Sequence, residues 1–287
     1  MKITQILTRI LRTLALTGAT GLAMLSYMES RFIYFPTSYP PDQTDTFIQQ
    51  GGQRLEFHTS QGAQTAWLRL PIDEGIVPER VWIVTAGNGS LALDFADLAE
   101  KCNLRRDAFI FFDYPAYGLC EGKPNPDTIR ESFAAAASLI TERCGIPTGS
   151  LPSRGIVWGH SLGAAAALIA AEEYGIRQAV LLSPFTSTME MTRAAIGLPL
   201  GFIVRHRYDN EARLTGLKQR NGHVWIIHGK EDEVIPVSMG QRLATVMGDA
   251  ANFYGIPGGR HNTLMQSALT EICRSMQDAR NALPGSQ

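Results

Sequence analysis

The run from Gly155 through Ala171 constrains this chain more than any other stretch. It reads as four apolar residues (Gly155-Ile156-Val157-Trp158), then Gly159-His160-Ser161-Leu162-Gly163, then an alanine-rich segment. The apolar residues predict a buried strand, and the alanine-rich segment consists of strong helix formers. A serine between the two sits on a tight strand-to-helix turn, with its hydroxyl exposed at the carboxyl edge of a sheet. The glycines on either side leave room for neighbouring backbone to pass. The five-residue pattern is weakly diagnostic alone, so its meaning depends on what the rest of the chain supplies.

A serine hydroxyl becomes a nucleophile when a base takes its proton, and the base needs a carboxylate to orient it. Both are present downstream. Val224-Trp225-Ile226-Ile227-His228-Gly229 reads as a buried strand, with Asp232 in the loop before Pro236. Asn252-Phe253-Tyr254-Gly255-Ile256-Pro257 reads as another, and His261 follows Gly258-Gly259-Arg260. Ser161, Asp232 and His261 therefore each fall just past a strand, in an order that lets them meet at one sheet edge. The other five of the six histidines fit the base role poorly. His160 points away from its neighbour's hydroxyl, His58 belongs to an early strand and His223 begins one. His206 lies in a basic stretch, and His228 reads as structural at the end of its strand. Asp232 is favoured by its place in a His-Gly-x-x-Asp-x-x-x-Pro pattern, while Glu231 and Glu233 beside it stay open.

These features resemble the α/β-hydrolase superfamily, in particular a group of small hydrolases carried behind one N-terminal membrane helix. Further segments share the resemblance. Arg31-Phe32-Ile33-Tyr34-Phe35-Pro36 is similar to the group's Leu-x-Tyr-x-Pro opening, and Phe112-Asp113-Tyr114-Pro115-Ala116-Tyr117-Gly118 to its Asp-Tyr-Arg-Gly-Tyr-Gly turn. Ser183-Pro184-Phe185-Thr186-Ser187 and Gly259-Arg260-His261-Asn262 also fit, so the resemblance runs from about residue 31 to 265. Where relatives carry a His-Gly-Asn-x-Gly type loop, this chain has Ala86-Gly87-Asn88-Gly89-Ser90. The resemblance implies an oxyanion hole made by the backbone N–H groups of Leu162 and Asn88. Pro115 stands in place of the usual arginine and Cys120 where serine is common, departures that bear on substrate preference.

Strands are expected at 54–58, 66–70, 81–85, 108–113, 155–158, 178–182, 223–227 and 252–256, with helices at 91–101, 127–143, 162–173, 237–246 and 262–276. An early antiparallel pair followed by strand–helix units implies an α/β fold. With the resemblance, this is the α/β-hydrolase fold: a mostly parallel eight-stranded sheet with helices on both faces. Residues 186–220 lack a strong strand signal and are expected to form a short lid. Met189, Met191, Ile196, Leu198, Leu200, Phe202 and Ile203 are then available to line an apolar acyl site or to hold the lid on the domain.

Residues 1–30 differ in kind from the catalytic domain expected over 31–287. Lys2, Arg9 and Arg12 precede an uncharged stretch of sixteen residues, 13–28, closed by Glu29 and Arg31. That is short for a membrane span and long for a signal core, and no clear Ala-x-Ala cleavage site follows. An uncleaved anchor is favoured over a cleaved signal peptide, with an ordinary amphipathic helix as the third reading. If the stretch spans, its N-terminal positive charges place the domain outside the cytoplasm; cleavage would leave it secreted or periplasmic. The first and last helices cover one sheet face in this fold, so Cys102 could approach Cys273 and pair in an oxidising compartment, with buried unpaired cysteines the favoured reading.

Hydrophobic residues make up 45% of the 287-residue chain, enough for a sizeable core. A net charge of −1 gives no electrostatic footprint for nucleic acid. No cysteine spacing or histidine–carboxylate cluster suggests a metal, and the chemistry needs no cofactor. The expected activity is cleavage of a carboxylic ester or thioester through an acyl-enzyme on Ser161, with a small-molecule or lipid-like acyl ester as substrate. A peptidase of the same fold, or a binding module that keeps the fold without the chemistry, are the competing readings.

Overall fold

The computed structural model describes residues 21, 29–73, 75–197, 201 and 204–283. Its strands are β1 Gln53–Thr59, β2 Gly62–Arg69, β3 Val81–Thr85, β4 Ala108–Phe112, β5 Gly155–His160, β6 Gln178–Leu182, β7 His223–Gly229 and β8 Ala251–Ile256. They form one sheet in the order β1-β2-β4-β3-β5-β6-β7-β8. β2 runs antiparallel to β1 and β4, and every other neighbouring pair is parallel. This is the eight-stranded, mostly parallel sheet of the α/β-hydrolase fold expected from the sequence.

The inner strands read as unbroken apolar runs because both faces of the sheet are covered. Every residue of β3, β4 and β6 is buried. Alternate residues feed separate cores: Ile83, Ile110, Phe112, Val157 and Leu181 enter one, and Trp82, Val84, Phe109, Phe111, Trp158 and Leu182 the other.

The longer helices are α1 Gln43–Gln49, α2 Pro126–Arg143, α3 Leu162–Glu173, α4 Thr188–Ile196, α5 Asn210–Gln219, α6 Val237–Met247 and α7 Leu269–Asn281. Side chains of α2, α3, α5 and α6 fill the first core, and those of α1 and α7 the second. α2 begins where Asn125 Oδ1 accepts the N–H groups of Asp127 and Thr128 and a proline occupies the first turn. α3 is buried from Leu162 through Ala171, which is why it lacks a polar face.

Two segments differ from expectation. Residues 91–101 form two short turns, Ala92–Phe95 and Leu98–Lys101. Asp94 accepts the Leu91 N–H and Asp113 the Ala92 N–H, so side chains there satisfy groups a longer helix would leave open. The last helical stretch likewise starts with the turns His261–Thr263 and Leu264–Ser267 before α7. In the stretch expected to be a lid, α5 buries Leu214 and Leu217 in the sheet core and so covers the domain itself. Of the expected lid apolars, Met191 packs against the same core and Met189 is exposed. Leu198, Leu200, Phe202 and Ile203 lie outside the described residues, as does the Ile196 side chain.

Cys102, just past Leu98–Lys101, and Cys273 in α7 are joined in a disulfide with Cα atoms 4.7 Å apart. Cys120 and Cys144 are buried free thiols. Among the described residues no helix is long and apolar enough to cross a membrane. The expected anchor, residues 13–28, falls outside them apart from Gly21.

Candidate active site

Ser161 follows the last residue of β5 and caps α3 with φ 58° and ψ −120°, a left-handed backbone unusual for a residue with a side chain. Glycine is required on both sides of this turn for a steric reason. A Cβ on Gly159 would stand 2.2 Å from the Gly163 carbonyl oxygen, and one on Gly163 2.2 Å from that of Thr85. The Ser161 N–H donates to the Leu182 carbonyl at 2.9 Å, which ties the turn to β6.

The three residues expected from the sequence meet at this edge. His261 Nε2 lies 3.0 Å from Ser161 Oγ, and His261 Nδ1 lies 2.8 Å from Asp232 Oδ2 and 3.1 Å from Oδ1. With Nδ1–H donating to the carboxylate, the Nε2 lone pair faces the serine hydroxyl. Glycines also let the loops carrying Asp232 and His261 approach: a Cβ on Gly229 would meet the Gly259 carbonyl oxygen at 2.2 Å. The flanking acids are engaged elsewhere. Glu231 accepts the Gly258 N–H, while Glu233 accepts the backbone N–H of His261 and pairs with Arg260.

Asp232 is held by more than the histidine. Its Oδ1 accepts the N–H groups of Val234 and Ile235 at 2.9 and 2.7 Å, and its Oδ2 accepts Ser183 Oγ–H at 2.8 Å. His228, fully buried, donates Nε2–H to the Ile235 carbonyl at 2.9 Å with Asp232 Oδ2 3.5 Å away. Burial opposes the charge on Asp232. Hydrogen bonds from His228, His261, Ile235 and Ser183 outweigh it and hold the carboxyl well below the usual carboxylate range.

His160 makes no bond to Ser161, and its ring lies 5.0 Å from that of His261. Burial, and then the neighbouring His261, push its pKa down to about 4, so it adds no positive charge beside His261 at neutral pH.

The loop 86–90 runs beside the serine: a Cβ on Gly87 would lie 3.8 Å from Ser161 Cβ. Leu162 opens α3, so its N–H is one of the unpaired donors at a helix start. Among the described residues the Asn88 N–H has no protein acceptor either, while the Asn88 carbonyl accepts from Phe35 N–H at 3.0 Å and Tyr117 Oη–H at 2.6 Å.

Sequence reasoning passed over Ser183 and the contact of His228 with Asp232, although Ser183 opens a segment that carries the resemblance. Cys120, where serine is common, faces the backbone of Thr65 on β2 and makes no contact with the triad. Among the described residues no group of three or more histidines, cysteines or carboxylates is placed to hold a metal.

The sequence model of the alpha/beta hydrolase family matches residues 82–236. A Mycobacterium tuberculosis protein, Rv2307c, is 25% identical over 246 residues, covering 85% of this chain and 84% of its own length. The human alpha/beta hydrolase domain-containing protein 17B is 29% identical over 227 residues, covering 71% and 75%. Among solved structures, the Pyrococcus furiosus esterase PF2001 superposes with a TM-score of 0.66 at 16% identity, over 88% of this chain and 99% of that one.

Proposed function

From the premise that this chain belongs to the alpha/beta hydrolase family, we propose that it is a serine hydrolase cleaving a carboxylic ester or thioester through an acyl-enzyme on Ser161. The observation that carries the reading is the continuous relay from Ser161 Oγ to His261 Nε2 and from His261 Nδ1 to Asp232, at 3.0 and 2.8 Å. His261 takes the hydroxyl proton as Ser161 attacks the substrate carbonyl, and Asp232 stabilises the imidazolium that forms. The N–H groups of Leu162 and Asn88 receive the charge developing on the carbonyl oxygen. His261 then protonates the leaving alcohol or thiol, and water activated by the same imidazole releases the acyl group. The esterase named among the structural neighbours supports an ester substrate class.

We also place the domain outside the cytoplasm, behind an N-terminal anchor. The Cys102–Cys273 bond supports this, because disulfides persist in oxidising compartments.

The test is covalent labelling by a fluorophosphonate probe beside turnover of p-nitrophenyl esters of graded chain length, on wild type and Ser161→Ala. The wild type labels and turns over; the variant does neither, with kcat lowered by about 10⁶-fold, as removal of a triad serine does elsewhere. Hydrolysis of an aminoacyl anilide without turnover of short esters would move the reading to a peptidase. A folded wild type that neither labels nor turns over any of these would move it to a binding module.

A further inference from the structure

Within the loop 86–90, three successive peptide groups are each held by a different partner. The Ala86 carbonyl accepts Tyr114 Oη–H at 2.5 Å. The Gly87 carbonyl accepts the Ser90 N–H at 3.3 Å, and the Asn88 carbonyl is shared by Phe35 N–H and Tyr117 Oη–H. Each of these peptides is planar and trans, so its N–H points opposite to its carbonyl. Fixing the carbonyls of 86, 87 and 88 therefore aims the N–H groups of 87, 88 and 89. The Asn88 N–H lies in the middle peptide, between two that are pinned by tyrosine hydroxyls.

The two tyrosines come from the turn after β4 and are almost wholly buried, 2% and 1% exposed, with rings edge to face at 5.4 Å. Burial pushes both phenols well above their ordinary range, so each keeps the proton it donates. The segment before β1 completes the clamp from the other side. Ile33 C=O accepts Asn88 Nδ2–H at 3.0 Å, and Phe35 N–H also reaches Tyr117 Oη at 2.9 Å.

We propose that Tyr114 and Tyr117 are positioning residues for catalysis, holding the 86–89 peptides so that the Asn88 N–H is aimed at the developing oxyanion before substrate arrives. The proposal rests on the serine hydrolase reading above and adds to it the source of the preorganisation. A donor helps most when no reorganisation is needed at the moment of reaction. A loop free to rotate its peptides would bind substrate equally well and stabilise the transition state less.

The experiment uses the full chain with Tyr117→Phe, Tyr114→Phe and the double variant, which keep the rings and remove only the hydroxyls. Each is assayed for kcat and KM on a short p-nitrophenyl ester and for Ki with an alkyl trifluoromethyl ketone. The ketone adds to serine as a tetrahedral oxyanion. Losing a whole oxyanion donor costs about 10²–10³-fold in kcat, so a misaimed one is expected to cost about tenfold in each single variant and more in the double. KM stays unchanged, and Ki for the ketone rises in step with the loss in kcat/KM. Either single variant suffices if the other fails to fold.

An unchanged kcat in the folded double variant overturns the proposal. So does a loss carried by KM or thermal stability with Ki for the ketone unmoved, which marks a purely structural role. Fluorophosphonate labelling of the wild type separates the two levels. Labelling with unaffected tyrosine variants sinks this inference alone, whereas a wild type that does not label sinks the hydrolase reading and this inference with it.

Discussion

The two backbone walls beside Ser161 are built on different principles. The elbow wall, at the junction of β5 and α3, is fixed by exclusion: Gly159 and Gly163 lie so close to the backbone of α3 and β3 that the chain has one path through. The facing wall, the loop 86–90, has no such confinement and is held by hydroxyl and amide tethers from Tyr114, Tyr117 and the segment at Ile33 and Phe35. Geometry set by sterics is written locally, in residues that must be small. Geometry set by tethers is written far away in the chain. The proposed nucleophile therefore stands on the wall that a short pattern encodes, and the donor proposed to stabilise its transition state on the wall that only the folded chain assembles.

The sharpest way to break this comparison is Gly163→Ala. Its Cβ would meet two backbone oxygens, Thr85 O at 2.2 Å and Ala86 O at 2.6 Å, and neither can swing aside as a side chain would. Overpacking a tight site costs about 1–3 kcal/mol, more when backbone has to move, so a loss of about 3 kcal/mol or more is expected. Those oxygens lead directly into the loop, so both walls shift and activity falls with stability. Chemical denaturation beside ester turnover reads both. A variant with wild-type midpoint and turnover would show that the elbow is not sterically fixed.

That contrast also explains what was legible in the sequence. Ser161, Asp232 and His261 each sit one short turn past an apolar strand, so local patterns and chain order located them, and the structure brings them within hydrogen-bond reach. The sheet was legible because the runs at 81–85, 108–112 and 178–182 are buried on both faces and bounded by loops. The supporting groups left no local trace. Tyr114 and Tyr117 act on carbonyls 28 and 29 residues away, and Ser183 reaches Asp232 across 49. A tyrosine in a turn reads the same whether its hydroxyl meets water or a catalytic loop. The break in the expected 91–101 helix has the same origin, since it depends on Asp113 from the next strand end.

Asp113 gives the tethered wall a pH dependence opposite in sign to that of His160 on the elbow, whose lowered pKa makes the fold lose stability in acid. Its buried carboxylate accepts Tyr39 Oη–H at 2.6 Å, Trp67 Nε1–H at 3.2 Å and the Ala92 N–H at 3.0 Å. Burial outweighs these bonds and raises its pKa to about 6. A carboxyl that holds its proton more tightly when folded than when unfolded stabilises the fold most in acid. That contribution is lost as pH rises from the unfolded value near 4 through about 6, about 3 kcal/mol in all. Asp113→Asn removes the titration. The stability gap between wild type and variant, from urea unfolding at a series of pH values, is expected to shift against the wild type between pH 4 and 7. A gap that stays constant with pH would mean that the donors around Asp113 compensate its burial fully.

The smallest effect is expected at Ala116, and it separates strain that serves chemistry from strain that does not. Ser161 and Ala116 both hold a left-handed backbone, with φ 58° and 72°. In the reaction proposed, the strain at Ser161 presents the reacting hydroxyl, and no residue without that hydroxyl can replace it. Ala116 lies between the two clamping tyrosines, and its methyl group plays no part in the reaction proposed. Left-handed geometry costs an alanine about 1–2 kcal/mol relative to glycine. Glycine gives back part of that gain, roughly 0.5–1 kcal/mol, through the greater freedom of its unfolded chain. Ala116→Gly is therefore expected to stabilise the fold by about 0.5 kcal/mol, a rise of about 1–2 °C in Tm for a chain of this size. Because Tyr114 and Tyr117 keep their carbonyl partners, kcat is expected to stay at the wild-type value. A fall in kcat with Tm raised would mean that the strained turn itself aims the tyrosines, and strain on the loop wall would then serve catalysis as it does at the elbow.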